Sequence, residues 1–496
     1  MQATAHNPAT LPPRLPSATR RIRLLATIAA LGLVWAAPGS AREARRADKD
    51  PVLTAKPHAF EAASGERVEA EIGTFRVPEN RHRADSRWIE LSFVRFPATG
   101  EAPGAPIVYL AGGPGGSGSG TARGGRFPLF MALRELGDVI AFDQRGTGLS
   151  SPLPFCPAPP RAFAGGVSTR RQILDGLSAT ARHCAAFWKE RGIDLNGYTT
   201  EQSADDLEDL RRALGAEKIR LWGISYGTHL AFAALRQHGE SGGIESAVLA
   251  SAEGPDHTLK LPSRTQAFLE RLLTEEERET LARVLERLGK EPAIVPVPGG
   301  ESGGEPSSVT ISKLELQILI GYMIKNPDSQ RALSPWIAAM GRGDFSPVAP
   351  FARRIAGSYS GMRGMSEAMD AASGITAERL ARVRREAPGT LLEDTLNFPG
   401  TALREPLGIR DLGDAFREPL VSDVPVLFLS GTLDGRTYVE SHRELAAGFE
   451  NSAHVIVEGA GHDLFMASPE VARRIADFLA GRPVSEKPIR AGGESP

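Results

Sequence analysis

Residues 218–238, KIRLWGISYGTHLAFAALRQH, pass from an apolar, strand-like run into a helical run with no loop between them. A chain turns that sharply only in strained backbone geometry, and only where side chains are missing on either side. Gly223 and Gly227 supply the gaps around Ser225. Such a turn lifts the serine hydroxyl clear of the carboxyl edge of a sheet. It also sets the helix N-terminus, with its free N–H groups, beside that oxygen. The bare pattern G-x-S-x-G is weak in a chain with 53 glycines, and it recurs around Ser241 and Ser302. Those copies lie in a polar loop after a helix and in a Gly/Ser/Pro linker, so they lack the strand-to-helix context that gives the pattern meaning.

The rest of the chain fits the same scheme. RVEAEIGTFRVP and RWIELSFVRFP alternate apolar with polar residues, as half-buried antiparallel strands do. PIVYLAGG, DVIAFDQRG, KIRLWGIS, IESAVLAS and VPVLFLSGTLD are short continuous apolar runs, the mark of strands buried on both faces. TTEQSADDLEDLRRALG has a capping threonine, early acids, late arginines and a terminal glycine, and so predicts a helix. The expected fold is α/β, a mostly parallel sheet with helices on both faces. It is built from 52–255 and 421–482, with a helical cap inserted at 256–420, a Gly/Ser/Pro loop at 298–308 and a flexible tail at 483–496.

The first residues read as a targeting segment. Arginines at 14, 20, 21 and 23 precede the apolar run LLATIAALGLVWAA, and PGSA follows with small residues. That order predicts a secretory signal over 1–41, with an apolar run shorter than the roughly 20 residues a membrane span needs. The expected location is secreted or periplasmic, with no stable membrane span once the signal is removed. Cys156 and Cys184 would then meet an oxidising compartment and are expected to pair. Charge is balanced, 58 Lys+Arg against 60 Asp+Glu, which gives no electrostatic argument for nucleic acid as a partner.

A serine hydroxyl is a weak nucleophile. It needs a base, and the base needs an acid to orient it. On a sheet of this kind the chain order is serine, acid, histidine. Asp434 ends the strand VPVLFLSGTLD, and His462 follows the next strand in EGAGHD. Both belong to strand-end loops on the edge expected for Ser225. Of ten histidines, His229 and His238 read as packing or surface residues of the helix after Ser225, and His442 and His454 lie between acid and base. A developing oxyanion needs two fixed N–H donors. Tyr226, next after the serine, is one candidate. Gly113 in AGGPGGSGSG is the other, with Gly112 second. A phosphate cradle is the rival reading of that glycine loop, but the lysine of a P-loop is missing and no strong helix is expected directly behind it. Asp143 and Arg145 in DQRGTGLS are expected to pair with each other or with loop backbone, holding the glycine loop in shape. No metal or organic cofactor is implied.

Together GGPGGSG, DQRGTGLS, GISYGT, an acid after a strand and a final GH resemble the prolyl iminopeptidase and tripeptidyl aminopeptidase family of serine α/β-hydrolases. VPENR, YTTEQSADDLEDLRRALG and the two-cysteine spacing are similar to its secreted tripeptidyl branch. Ala111 and Tyr226 stand where the prolyl branch has a histidine and tends to have a tryptophan, which points the same way. The resemblance implies removal of residues from the free N-terminus of a peptide, with Ser225, Asp434 and His462 as triad and Gly113 and Tyr226 as oxyanion hole. An α-amine needs carboxylates above the site; Glu253, Glu367 and Asp370 are the candidates. A carboxylesterase or lipase-like hydrolase on the same triad is the alternative, and a binding protein on this scaffold the third reading.

Overall fold

The computed structural model of the chain describes residues 51–163, 169–297 and 307–492. The expected leader and Ser302 lie outside them. Ten strands form one sheet: β1 Thr54–Glu61, β2 Arg67–Pro78, β3 Trp88–Phe96, β4 Ile107–Leu110, β5 Val139–Asp143, β6 Ile219–Ile224, β7 Ile244–Ala250, β8 Val426–Gly431, β9 Ser452–Glu458 and β10 Ile489–Arg490. Their order is β1-β2-β3-β5-β4-β6-β7-β8-β9-β10. The pairs from β1 to β5 through β3 are antiparallel, and from β5 through β4 to β10 every pair is parallel.

The apolar runs become the centre of the sheet because both faces are covered. Every residue of β4, β5, β6 and β8 is buried. Alternate side chains feed two cores. Leu110, Phe142, Leu221 and Phe428 pack on one face; Tyr109, Ala141, Trp222 and Leu429 pack on the other. Trp222 there meets Tyr109, Phe130 and Phe465 at ring separations of 4.7, 4.8 and 5.4 Å. The predicted helix forms over Thr200–Ala213 behind the capping residue Thr199. Cys156 and Cys184 form a disulfide that ties the loop after β5 to the helix Arg170–Glu190.

Between β7 and β8 the chain is mostly helical, from Pro262–Leu272 to Asp414–Arg417. These helices bury their own cluster, which includes Leu269, Leu285, Leu319, Ile320, Ile337 and Val348. An antiparallel pair, Ala293–Val297 with Ser307–Ile311, interrupts them. The loop expected over 298–308 therefore gives way to strand at Ser307, because Val309 and Ile311 alternate into that cluster. The tail expected from 483 is corrected in the same way. Ile489 is buried opposite Val457, and Ile489–Arg490 extend the sheet as β10. Among the described residues no helix is long and apolar enough to cross a membrane.

Candidate active site

Ser225 occupies the turn between β6 and the helix Tyr226–His238 with φ 55° and ψ −129°, a conformation that residues with side chains rarely adopt. Its surroundings require the flanking glycines. A Cβ on Gly227 would stand 2.1 Å from the Leu110 carbonyl oxygen, and one on Gly112 would stand 2.9 Å from Ser225 Cβ. The end of β7 holds the nucleophile and base candidates side by side. Ser225 N–H donates to Ala250 O at 3.1 Å, and Ser251 Oγ donates to His462 O at 2.8 Å.

Asp434 and His462 are brought together: His462 Nδ1 lies 2.9 Å from Asp434 Oδ2, and both side chains are buried. Thr437 Oγ1 donates to the same Asp434 oxygen at 2.6 Å. The N–H groups of Arg436 and Thr437 donate to Oδ1 at 2.7 and 3.0 Å. Burial alone would raise the Asp434 carboxyl. The His462 ring and the Thr437 donors outweigh it and hold the group well below the usual carboxylate range. Among the described residues no hydrogen bond joins Ser225 Oγ to His462, a link that in sites of this kind often tightens only in the complex.

The helical segment also braces these loops, which the sequence reading did not anticipate. Lys325 O accepts from His462 N, Ile324 O from Gly435 N, and Asn326 Oδ1 from Asp463 N, at 2.9, 3.1 and 3.0 Å. Thr437 was missed as well, although a hydroxyl three residues beyond a strand-end aspartate was a readable signal.

Gly113 has φ 129° and lines one cavity with Ser225. Tyr226 opens the helix, so its N–H has no intrahelical acceptor. Asp143 holds the glycine loop from behind. It accepts from Ser117 Oγ (2.8 Å), Ser119 N (3.0 Å), Ser119 Oγ (2.6 Å) and Leu149 N (2.9 Å). Arg145 does not pair with Asp143. Its guanidinium grips Asp206 at 2.6 and 2.7 Å and donates to the carbonyls of Glu79 and Gly197. A six-residue helix, Gly118–Arg123, does follow the glycine loop, contrary to expectation, because Ser117 caps it through Gly120 N.

The cavity has a volume of about 270 Å³ and takes in Glu253, Glu367 and Asp370 as well. Glu253 is paired with Lys260 Nζ at 2.7 Å. Glu367 accepts from Gly364 N at 2.9 Å at the start of the helix Met365–Ser373. Burial, and then the Glu253 carboxylate, push Asp370 up to about 8. His229 bonds Gly254 O and Ser373 Oγ, while His442 and His454 share the Ser430 hydroxyl, so these rings are engaged elsewhere.

A sharp strand-to-helix serine, followed along the chain by a strand-end aspartate and a histidine on a largely parallel sheet, places the protein in a known class, and the family models agree. The model described as alpha/beta hydrolase fold matches residues 105–288, and the model described as TAP-like protein matches 413–485. The chain has the alpha/beta hydrolase fold, and its C-terminal part is similar to the TAP-like proteins. It is similar to the serine protease Hip1 of Mycobacterium tuberculosis, 31% identical over 167 residues, 32% of either chain. It is also similar to the tripeptidyl aminopeptidase of Streptomyces lividans, 30% identical over 177 residues, 32% of this chain and 31% of that one. The matches thus span about a third of the length of these relatives. A solved proline iminopeptidase of Mycobacterium smegmatis is 17% identical, with 79% of this chain and 95% of that chain covered and a TM-score of 0.40.

Proposed function

We propose that the protein is a serine peptidase that removes residues from the free N-terminus of peptides, and that it acts in a secreted or periplasmic setting. Ser225 Oγ attacks the scissile carbonyl carbon, and His462 accepts the hydroxyl proton while Asp434 fixes its ring. The N–H groups of Gly113 and Tyr226 receive the oxyanion. The tetrahedral intermediate collapses to an acyl-enzyme as His462 protonates the leaving amine. Water, deprotonated by His462, then releases the acyl fragment.

One observation carries this reading: a single cavity joins Ser225 and Gly113 to three acidic side chains, Glu253, Glu367 and Asp370. A free α-ammonium calls for such a wall, whereas an ester pocket is better lined by apolar groups. The relatives named serine protease and tripeptidyl aminopeptidase support it, and the disulfide supports the oxidising location.

The test compares tripeptidyl and aminoacyl amides with free and acetylated N-termini. Cleavage of the free series only, with labelling of Ser225 by a fluorophosphonate, is expected. Ser225→Ala should lower turnover by roughly four to six orders of magnitude. Equal rates on blocked and free substrates, or cleavage of simple esters alone, would replace the reading with an esterase.

A further inference from the structure

Arg436 differs from Lys260, the other cation that lines the cavity. Lys260 is paired with Glu253, and Arg264 with Glu444. The Arg436 guanidinium has no hydrogen bond or ion pair among the described residues, although it lines the same cavity as Ser225. The carboxylate two residues before it is already filled: both Asp434 oxygens are occupied by Thr437, by His462 and by the Arg436 backbone N–H itself. Of the cavity acids, Glu253 faces Lys260, Glu367 caps its own helix, and Asp370 feels the Arg436 charge but makes no hydrogen bond or ion pair with it. On its other side Arg436 borders a small hollow lined by His257, Lys260, Arg264 and Arg379, with no carboxylate in that lining. Gly321 leaves room for the side chain: a Cβ there would come within 4.0 Å of the guanidinium. A half-buried arginine that borders other cations, lines the cavity of Ser225 and makes no hydrogen bond or ion pair with a carboxylate among the described residues is ready for an anion supplied from outside.

We propose that Arg436 is a specificity-determining residue that binds a carboxylate side chain, glutamate or aspartate, in the N-terminal fragment that the protein releases. The cavity is then divided by charge, with carboxylates for the α-amine and Arg436 for an acidic side chain. This rests on the peptidase reading.

The test uses two readouts. The first is kcat/KM on tripeptidyl p-nitroanilides that carry Glu or Gln at each position in turn. The second is inhibition of Ser225-dependent p-nitrophenyl acetate hydrolysis by C-terminally amidated tripeptides of the same sequences. At one position Glu should be favoured over Gln by about tenfold or more, the scale of one charge-assisted bond. Arg436→Gln should bring the Glu/Gln ratio to near unity, and Arg436→Glu should favour Lys at that position. No Glu preference at any position, or a preference that survives Arg436→Gln, overturns the assignment. If the amides are not cleaved but the inhibition pattern holds, the peptidase reading fails, and with it the assignment to a released fragment, while Arg436 is shown to bind an acidic side chain.

Discussion

Asp143→Asn is the most informative single change, because the geometry fixes why it cannot be neutral. Each Asp143 oxygen accepts one backbone N–H: Oδ1 from Ser119 at 3.0 Å, Oδ2 from Leu149 at 2.9 Å. The serine hydroxyls that also bond these oxygens can rotate and accept instead. A backbone N–H cannot. Whichever way the asparagine amide is turned, its NH2 faces one N–H head on, and the other three bonds lose their charge. A hydrogen bond to a charged group contributes about 1.5–3 kcal/mol, and a buried donor left unpaired costs about 1–3 kcal/mol. The expected loss is therefore about 2.5–6 kcal/mol of stability, read as a lower urea midpoint by tryptophan fluorescence. The loop that Asp143 holds carries Gly113, and a displaced oxyanion donor costs about 10²–10³ in kcat. Activity should fall by that factor at urea-free, fully folded conditions, with KM changed much less. A variant that unfolds at the wild-type midpoint refutes the hydrogen-bond argument. One that loses stability but keeps kcat within twofold refutes the link from Asp143 to the oxyanion loop.

Other changes test other parts of the account. Asp370 titrates near 8 in the folded protein against an ordinary value of 3.8, so the folded state holds an extra proton between those values and loses stability as pH rises through that window. The Tm of Asp370→Asn should match wild type near pH 4 and exceed it by a margin that grows to about pH 8; a margin independent of pH would sink the argument. Replacing Cys156 and Cys184 together by serine opens a loop of sequence separation 28. It should cost roughly 3–4 kcal/mol by the chain-entropy model, measured by urea unfolding, and an unchanged midpoint would show that the bond constrains nothing.

How far the sequence could be read depended on how local each signal was. The buried strands were legible because two-sided burial writes itself as an unbroken apolar run, as in IVYL and VLFLSG. β1, TAKPHAFE, was missed because it is an edge strand whose residues are mostly exposed. β10 has two residues, and only the burial of Ile489 gives it away. Ser225, Asp434 and His462 could be picked out because each occupies a distinctive strand end. The grip of Arg145 on Asp206, 61 residues away, has no local signature. Nor does the bracing of His462 by Lys325, since a backbone carbonyl accepts whatever its side chain. The carboxylates of the cavity were nameable, but their division into a paired Glu253, a capping Glu367 and a proton-holding Asp370 depends on folded proximity.

β8 lies between β7 and β9 and leads into the loop that carries Asp434, although it is made long after β6 and its serine. During synthesis the nucleophile thus emerges well before anything that can take its proton. Only when the last part of the chain adds to the open edge of β7 do Asp434 and His462 reach the rim where Ser225 stands. A nascent or C-terminally clipped molecule therefore carries the serine without the acid and the imidazole proposed to serve it.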